Sequence, residues 1–292
     1  MNPVIRPMRS EDVPEAERVS DQGFFELDLR TRRVDGPPPE HRSETHRAVW
    51  IERTRHLVRH DPGGCWVAED HRGIVGIATS FRRETVWCLA TYAVLPRLQG
   101  QGIGKPLLAA AMDHGRSCTR AMLSSSSDGR AVRIYHQAGF ALHPQMYLTG
   151  TVDRSAIPVV EKVREGSAAD VELMDSLDRA ARGAGHGPDH ELMLRTWRLL
   201  VSDTSTGSGY VYLDERGRVG LLAGSNRRTA VRLLWAALAE GAEQMTVPHV
   251  TGANQWAVDV GFAARLALHT EGYLGLRGMK PPAPYVHHGA LL

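Results

Sequence analysis

Short apolar runs alternate with longer amphipathic stretches along the first 150 residues. The clearest helix is predicted at 103–114, where Ile103, Leu107 and Ala111 recur at helical spacing on one face. Short apolar runs bounded by turn residues predict strands, so both kinds of element are expected here. The predicted strands are 4–8, 65–68, 74–79, 86–94 and 121–123, the other predicted helices are 44–60 and 130–138, and a last strand opens at Gly139-Phe140.

The pattern starts again in the second half of the chain. Ser167-Ala168-Ala169-Asp170 has the polar character and position of Ser10-Glu11-Asp12, which precedes the first predicted helix. Near the other end, Gly261-Phe262 follows a short predicted helix, as Gly139-Phe140 does in the first half. These parallels predict an internal repeat, and a repeat determines the architecture of the whole chain.

The two predicted copies differ in length. The span that can be compared is 128 residues in the first copy and 92 in the second, so about 36 are missing. In the second copy, predicted strands at 210–213 and 219–222 lead almost directly to a helix at 230–240. We therefore expect the counterpart of the strand at 86–94 to be lost or merged with its neighbour. The predicted domains are 1–150 and 159–292, joined by a linker at 151–158.

Composition narrows the class of protein. A length of 292 residues favours two domains, and 42% hydrophobic residues are enough to exclude a largely disordered chain. The formal net charge is only +2, which argues against a dedicated nucleic-acid binder with a basic surface. We expect a globular protein that binds no nucleic acid.

Cysteines and histidines suggest neither disulfides nor a metal. Cys65, Cys88 and Cys118 are widely spaced, unlike a disulfide framework or a zinc site. His56 and His60 stand four residues apart, a spacing that can bind metal, but no third ligand is evident. The sequence has no apolar run near the ~18 residues of a membrane-spanning helix, and its charged start is no signal peptide. We therefore expect free thiols, no membrane contact and a cytoplasmic location.

A glycine-rich turn precedes the helix at 103–114. Gly100, Gly102 and Gly104 lack side chains where the first amides of a helix have no partner, and such a helix start can bind a phosphate or pyrophosphate. A Walker loop would need Ser or Thr after Lys105, where Pro106 stands. A dinucleotide fingerprint would need GxGxxG after the first strand, and here the spacing is GxGxG after several strands.

The segment Gln99-x-x-Gly102-x-Gly104 resembles the acyl-CoA pyrophosphate loop of the GNAT acetyltransferase family, which has the pattern Gln/Arg-x-x-Gly-x-Gly/Ala. The resemblance includes Val94-x-Pro96 before the loop and Ala131-x-x-x-Tyr135-x-x-x-Gly139-Phe140 after it. The order of strands and helices over 1–150 is similar too. It implies an α/β fold (α+β, with a mixed sheet), two tandem GNAT-like domains, the second shortened, and transfer of an acetyl group from acetyl-CoA to an amine.

The resemblance also implies roles for individual residues. Pantetheine would pair with the strand end, opposite 122–124, and the amide near Val94 would stabilise the oxyanion. Tyr135 would be the general acid that protonates the departing thiolate. Arg130 would lie near the adenosine phosphates, although an ordinary surface arginine is an equal alternative. The implied cofactor-binding residues are Val94, Leu95, Gln99, Gly100, Gln101, Gly102, Ile103, Gly104, Lys105, Arg130 and Tyr135.

The general base stays open. Several family members carry a glutamate on the strand before the loop, but 89–93 contains no carboxylate. Glu84 in the preceding turn is the nearest acidic candidate, with a solvated turn residue as the plainer interpretation. His136 is another candidate. A substrate amine that is already deprotonated would need no base.

The second copy resembles a degenerate GNAT domain. Residues 225–230 stand where the loop is expected but lack its pattern, and Ala257 stands where the first copy has Tyr135. We therefore expect acetyl-CoA to bind the first copy, while 159–292 shapes the acceptor pocket and replaces a partner subunit. The segment 285–289 near the C-terminus is expected to reach the groove between the copies. The chain would be a pseudo-dimeric monomer or a homodimer.

Two functions remain open at this level. The first is an N-acetyltransferase that acts on an amine of a small molecule or a peptide. The second is a non-catalytic acyl-CoA sensor or scaffold, which the missing strand carboxylate favours and Tyr135 disfavours. Phe24-Phe25 falls in the region where, in GNAT proteins, the first helices and their loop cover the acceptor site. The two rings could form a wall of that site or simply pack in the core, and these are equal alternatives.

Overall fold

The computed structural model describes residues 3–31, 38–214 and 217–292. The strands are β1 (Val4–Pro7), β2 (Cys65–Asp70), β3 (Gly73–Arg83), β4 (Val86–Val94), β5 (Arg120–Ser125), β6 (Ala141–Thr151), β7 (Arg164–Glu165), β8 (Arg198–Thr204), β9 (Gly207–Leu213), β10 (Val219–Gly224), β11 (Gln244–Thr251), β12 (Ala267–Arg277) and β13 (Tyr285–Val286). The α-helices are α1 (Val13–Thr31), α2 (Glu44–His60), α3 (Gly104–Asp113), α4 (Gly129–Gln137), α5 (Val171–Arg182), α6 (Asp189–Thr196), α7 (Arg227–Glu240) and α8 (Gln255–Ala263). The predicted elements of the first half are all present.

The strands form two sheets. The larger has eight strands in the order β1-β2-β3-β4-β5-β12-β6-β11, and the smaller has five in the order β13-β10-β9-β8-β7. Within the larger sheet, β4 and β5 run parallel, while the other neighbours are antiparallel. The predicted mixed sheet is therefore confirmed.

The two halves exchange their last long strand. β12, from the second half, pairs with β5 of the first, whereas β6 leaves the first half and pairs with β11 of the second. β6 and β12 lie side by side at the centre of this exchange. β6 continues to Thr151, and Val152 donates a backbone hydrogen bond to Glu243, so the predicted linker at 151–158 begins in contact with the second half.

The second half repeats every element of the first in the same order. β7, α5, α6, β8, β9, β10, α7, β11, α8 and β12 follow one another as do β1, α1, α2, β2, β3, β4, α3, β5, α4 and β6. The expectation that the second copy lost a strand is wrong, because β8 is present. Shorter elements explain much of the difference in length: α5 has 12 residues against 19 in α1, and α6 has 8 against 17 in α2.

The proposed match of Gly261-Phe262 with Gly139-Phe140 is also wrong, because Gly261 lies inside α8. α4 and α8 end alike, since Phe140 N donates to Tyr135 O (3.1 Å) and Leu266 N donates to Gly261 O (2.9 Å). Gly261, rather than Ala257, is therefore the counterpart of Tyr135. A side chain at Gly261 would collide with Leu148, so the second copy has no room for a tyrosine there.

Buried contacts join the halves. Tyr210 and Leu292 of the second half share one hydrophobic core with Leu57 and Trp87 of the first. Asp189, at the start of α6, is fully buried and accepts hydrogen bonds from His56 (2.8 Å) and Arg83 (2.9 Å to its Nε). Burial disfavours its charge, but the His56 hydrogen bond and the Arg83 cation lower the pKa of Asp189 to about 2. Asp189 thus holds two side chains of the other half.

Candidate functional site

β4 carries a bulge and then diverges from β5. Between Thr79 and Ser80 of β3 the register shifts so that an extra residue, Ala90, is accommodated in β4. The parallel pairing of β4 with β5 covers only 86–89. Beyond Leu89 the two strands separate, and the space between them is called the gap below. One edge of β4 is thereby left unpaired up to its end at Val94.

The end of β4 is held by two hydrogen bonds. Leu95 N donates to Val75 O of β3 at 2.9 Å. Since successive amides of a strand point to opposite edges, the N–H of Val94 faces the gap. The Gln99 side-chain amide donates to Val94 O at 2.9 Å, which folds the following loop back onto the strand end. This gives Gln99 a positioning role that the sequence pattern did not specify.

The glycines allow the loop to approach the start of α3. Gly100 and Gly102 have φ values of 81° and 85°, a conformation that other residues adopt with strain. A methyl group at Gly104 would collide with the Tyr92 hydroxyl. Within the described ranges, no acceptor receives a hydrogen bond from the amides of residues 100–105. The loop therefore presents a set of free N–H donors at a helix N-terminus, which suits a pyrophosphate.

Tyr135 lies beside the gap on α4. Its side chain is buried (5% exposed), and its ring meets that of Tyr92 edge to face at 6.3 Å. No described residue forms a hydrogen bond with its hydroxyl. Burial raises the pKa of Tyr135, and it raises the pKa of Tyr92 to about 12, so both phenols are protonated at neutral pH. Tyr135 can therefore donate a proton to a group in the gap.

Arg130 is paired at the first turn of α4. Asp128 caps this helix, accepting from Arg130 N at 2.8 Å and from its guanidinium at 3.0 Å. Arg30 of α1 reaches the same carboxylate at 3.3 Å. Burial disfavours the charge of Asp128, but the hydrogen bonds from Arg130 lower the pKa of Asp128 overall. Arg130 would have to share or leave this carboxylate to bind a phosphate.

Glu84 lies at the opposite end of β4 from the loop. It accepts hydrogen bonds from Arg179 Nε (2.7 Å) and Gly185 N (3.2 Å) of the second half. Nine residues of strand at ~3.3 Å each separate it from Val94, a distance of roughly 30 Å. The structure thus contradicts the prediction that Glu84 is the general base. His136 is exposed, next to the buried Tyr135 on α4.

A polar chain beside the gap was not expected. Ser124 of β5 is hydrogen-bonded to the Gln145 amide at 3.3 Å, and Gln145 Oε1 is 2.9 Å from His249 Nδ1. Glu271 of β12 accepts from His249 N at 2.9 Å. Burial disfavours its charge, but His249 lowers the pKa of Glu271. These residues come from β5, β6, β11 and β12, so only the strand exchange brings them together.

The corresponding gap of the second half is filled by the chain itself. β10 keeps the bulge, at Gly220, but only Ser225 and Asn226 separate its end from α7, so there is no counterpart of the glycine-rich loop. β13 pairs with Leu222 and Ala223 of β10, just beyond the bulge. It belongs to residues 284–292, called the tail below. The tail therefore occupies the position that the gap has in the first half.

Among the described residues, Asp178, His186 and His190 form a buried cluster of side chains of the types that can bind a metal ion. The Asp178 carboxylate already accepts from the Tyr210 hydroxyl at 2.5 Å and pairs with His186 Nδ1 at 2.7 Å. The group forms a buried hydrogen-bond network within the second half. The three cysteines are free, with Cys65 and Cys88 buried.

Residues 24–140 match the model of the Acetyltransferase (GNAT) family, a range that includes the bulge, the loop and Tyr135. The first half of the chain thus matches the GNAT family. A search of curated proteins found no match. Among the described residues, no helix is long and apolar enough to cross a membrane.

Solved structures extend the GNAT fold to the whole chain. A putative acetyltransferase from Pyrococcus horikoshii aligns with a TM-score of 0.75 at 19% identity, covering 100% of this chain and 95% of that one. A tandem GNAT protein from the clavulanic acid biosynthesis pathway aligns at 0.60 and 12% identity, covering 95% and 99%. A GCN5-related N-acetyltransferase from Sphaerobacter thermophilus gives 0.56 and 18%, covering 94% and 95%. The predicted tandem GNAT architecture is confirmed.

Proposed function

We propose that this chain transfers an acetyl group from acetyl-CoA to an amine of a small molecule or a peptide, with acetyl-CoA bound to the first half only. The observation that carries the proposal is the set of unpaired amides at 100–105, at the mouth of an open gap. Free N–H donors at a helix start match a pyrophosphate. An unpaired strand edge matches the amides of pantetheine.

The residues of the chain supply two functions in this reaction. Val94 N–H faces the gap and would stabilise the oxyanion that forms as the amine nitrogen attacks the thioester carbonyl. Bound acetyl-CoA supplies the activated acetyl group. As the C–S bond breaks, Tyr135 would donate its proton to the departing thiolate. The proton lost by the amine would pass to solvent, because no carboxylate stands on 89–93.

A single acetyl-CoA per chain is part of the proposal. In the second half the tail takes the place of the gap, the loop is missing, and Gly261 replaces the tyrosine. We therefore infer that the second half serves the first, through the strand exchange and through residues such as His249.

One observation favours the sensor alternative. Glu84 is committed to Arg179 and lies far from the loop, so the prospective site has no evident carboxylate base. A sensor would bind acetyl-CoA without turning it over. An acetyltransferase can instead rely on an amine that is deprotonated at the working pH.

The two alternatives separate in one assay. Release of free thiol from acetyl-CoA is followed with a panel of amines, while acetyl-CoA binding is titrated calorimetrically. We expect thiol release that depends on the amine, and one bound acetyl-CoA per chain. Gly104→Val is the matched control, because its side chain would collide with Tyr92 and should abolish binding. Binding without thiol release for any amine would establish the sensor.

A further inference from the structure

A cavity of about 220 Å³ lies between the two halves. Its walls include Arg53 of α2 in the first half. The second half contributes Trp197, Asp214, Arg218, His249 of β11 and His288 of the tail. The volume is below the roughly 300–1,000 Å³ of pockets for drug-sized ligands, so it suits a small group or one end of a larger molecule.

Arg53 is the most unusual residue of this wall. Its Nε is buried and forms no hydrogen bond with any described residue. No carboxylate of the described chain pairs with it. Burial, and then the charge of Arg42, lower the pKa of Arg53 to about 10, so it is still a cation at neutral pH. Because buried charges in proteins are normally paired, an unpaired guanidinium in a cavity wall indicates an anionic ligand.

His288 adds a second donor. Its Nδ1 accepts from the amides of Ala290 (3.0 Å) and Leu291 (2.8 Å), so in the neutral ring the proton lies on Nε2. Burial lowers the pKa of His288, which keeps the ring neutral. Arg218 is exposed at the rim and contributes another positive charge. Asp214 brings one carboxylate to the wall and accepts a hydrogen bond from Arg218 N at 2.8 Å, so the two arginines still outnumber it.

The cavity is linked to the gap through side chains already described. His249 forms part of its wall and reaches Gln145 at 2.9 Å, and Gln145 is hydrogen-bonded to Ser124 on β5. Ser124 lies on the strand that borders the gap. His249 belongs to the wall, so Gln145 and Ser124 separate the wall from the gap, and an acceptor that reaches both would have to span roughly 10 Å, the sum of two hydrogen bonds near 3 Å and the widths of an imidazole and an amide group.

We propose that Arg53 and His288 bind a small anionic group, such as a carboxylate, on the acceptor of the acetyl group. This inference rests on the proposed function. The acceptor would present its amine to the gap and its anionic end to the cavity. Acceptor preference would then depend on both halves, which explains why the second half is kept without a cofactor site of its own.

Pairs of amines that differ only in the anionic group test the proposal. Acetyl transfer is measured with 8-aminooctanoate against octylamine, and with 8-aminooctyl phosphate against 8-aminooctanol, because these chains are long enough to reach from the gap to the cavity. We expect the anionic member of a pair to have at least a tenfold higher kcat/KM. The first pair reports a carboxylate and the second a phosphate. Equal kcat/KM within both pairs would overturn the proposal.

Arg53→Gln provides the decisive variant. It should raise KM for the preferred anionic amine about 10- to 100-fold, the usual scale for a lost charge-assisted contact, and leave KM for acetyl-CoA and for the uncharged amine unchanged. Arg55→Gln, exposed on the same helix, is the control. Arg53→Gln should not lower the melting temperature, because the charge it removes has no partner. An unchanged preference for the anionic amine would overturn the assignment.

Calorimetric titration of 8-aminooctanoate and 8-aminooctyl phosphate, with acetyl-CoA present, separates this inference from the proposed function. Binding that is lost in Arg53→Gln supports the cavity even if no acetyl group is transferred. Absence of binding in a protein that acetylates uncharged amines overturns the cavity and leaves the acetyltransferase intact. Absence of thiol release with every amine counts against the proposed function instead.

Discussion

At the scale of single residues, Tyr135 is the one on which the proposed chemistry depends most. Its hydroxyl has no partner in the described chain, its ring is buried beside Tyr92, and its pKa is raised. The phenol therefore remains protonated at neutral pH. The raised pKa makes it a weaker acid than a free phenol and weaker than a thiol, whose pKa is about 8.5. Tyr135 would therefore stabilise the departing sulfur by donating a hydrogen bond while the C–S bond breaks, and the proton would move as that bond is lost.

We expect Tyr135→Phe to lower kcat about 10²- to 10⁴-fold while the Kd of acetyl-CoA stays unchanged. Steady-state thiol release and calorimetry measure the two quantities. Tyr147→Phe on β6 is the matched control and should retain full activity. Because the pKa is raised, loss of the acid form should not reduce kcat below about pH 10. Wild-type turnover in Tyr135→Phe would exclude the residue as the acid.

The candidate site residues that a sequence pattern can identify are those whose signal is local. The loop and Tyr135 belong to patterns that span about 40 positions, and their spacing is visible in the chain. Glu84 was misassigned because its partner Arg179 is 95 positions away. Arg53 was missed because an arginine on a helix looks like any surface charge until a second half covers it. Its burial depends on tertiary structure that no local pattern encodes.

At the scale of elements, β13 of the tail occupies the position in the second half that corresponds to the gap, where the first half would bind acetyl-CoA. β13 adds to β10 beyond the bulge at Gly220, and Gly224 N donates to Pro284 O at 3.2 Å. His287 follows, 1% exposed, with its ring stacked on His249 at 4.7 Å. Its Nε2 has no partner among the described residues, so it is buried as a neutral imidazole.

This burial predicts a pH dependence of stability. Burial, and then the charge of His249, lower the pKa of His287 to about 3, against ~6.5 in the unfolded chain. The contribution is complete above pH 6.5 and is lost as the pH falls from 6.5 toward 3. Between pH 6.5 and 5 the loss is about 2 kcal/mol. We expect the free energy of unfolding of His287→Gln, measured with urea, to fall by about 2 kcal/mol less than that of wild type between pH 6.5 and 5. His71→Gln, at an exposed site, should match wild type, and equal slopes for all three would contradict the burial.

Elements were predictable where their periodicity was clean. Helix 44–60 and strand 86–94 match the structure to the residue. β8 was missed because its apolar residues continue those of α6 without a turn residue between them, and such a run does not distinguish helix from strand. The sequences of the exchanged strands are a clearer sign of the internal repeat. Both β6 and β12 begin with Ala-Leu-His-x-x-x-Tyr-Leu, at 141–148 and 267–274.

At the scale of the whole molecule, the strand exchange makes the two halves interdependent. Sequence order is the same whether each half keeps its last strand or gives it away, so no linear pattern could have predicted the exchange. Its result is a continuous sheet across both halves and a core that contains residues of each. The buried Asp189, paired with Arg83 and His56, adds a contact that neither half can satisfy alone.

We therefore expect residues 1–158 and 159–292 to fail to fold when produced separately. Without β12, the edges of β5 and β6 would be exposed, and unpaired apolar strand edges promote aggregation. The first half would also lose Asp189 as a partner of His56 and Arg83, although Arg83 keeps its ion pair with Asp61 at 2.8 Å. Co-production of the two fragments should restore a soluble one-to-one complex that binds acetyl-CoA, measured by gel filtration with light scattering and by calorimetry. A fragment 1–158 that is monomeric, unfolds cooperatively and binds acetyl-CoA on its own would show that the exchanged strand is dispensable.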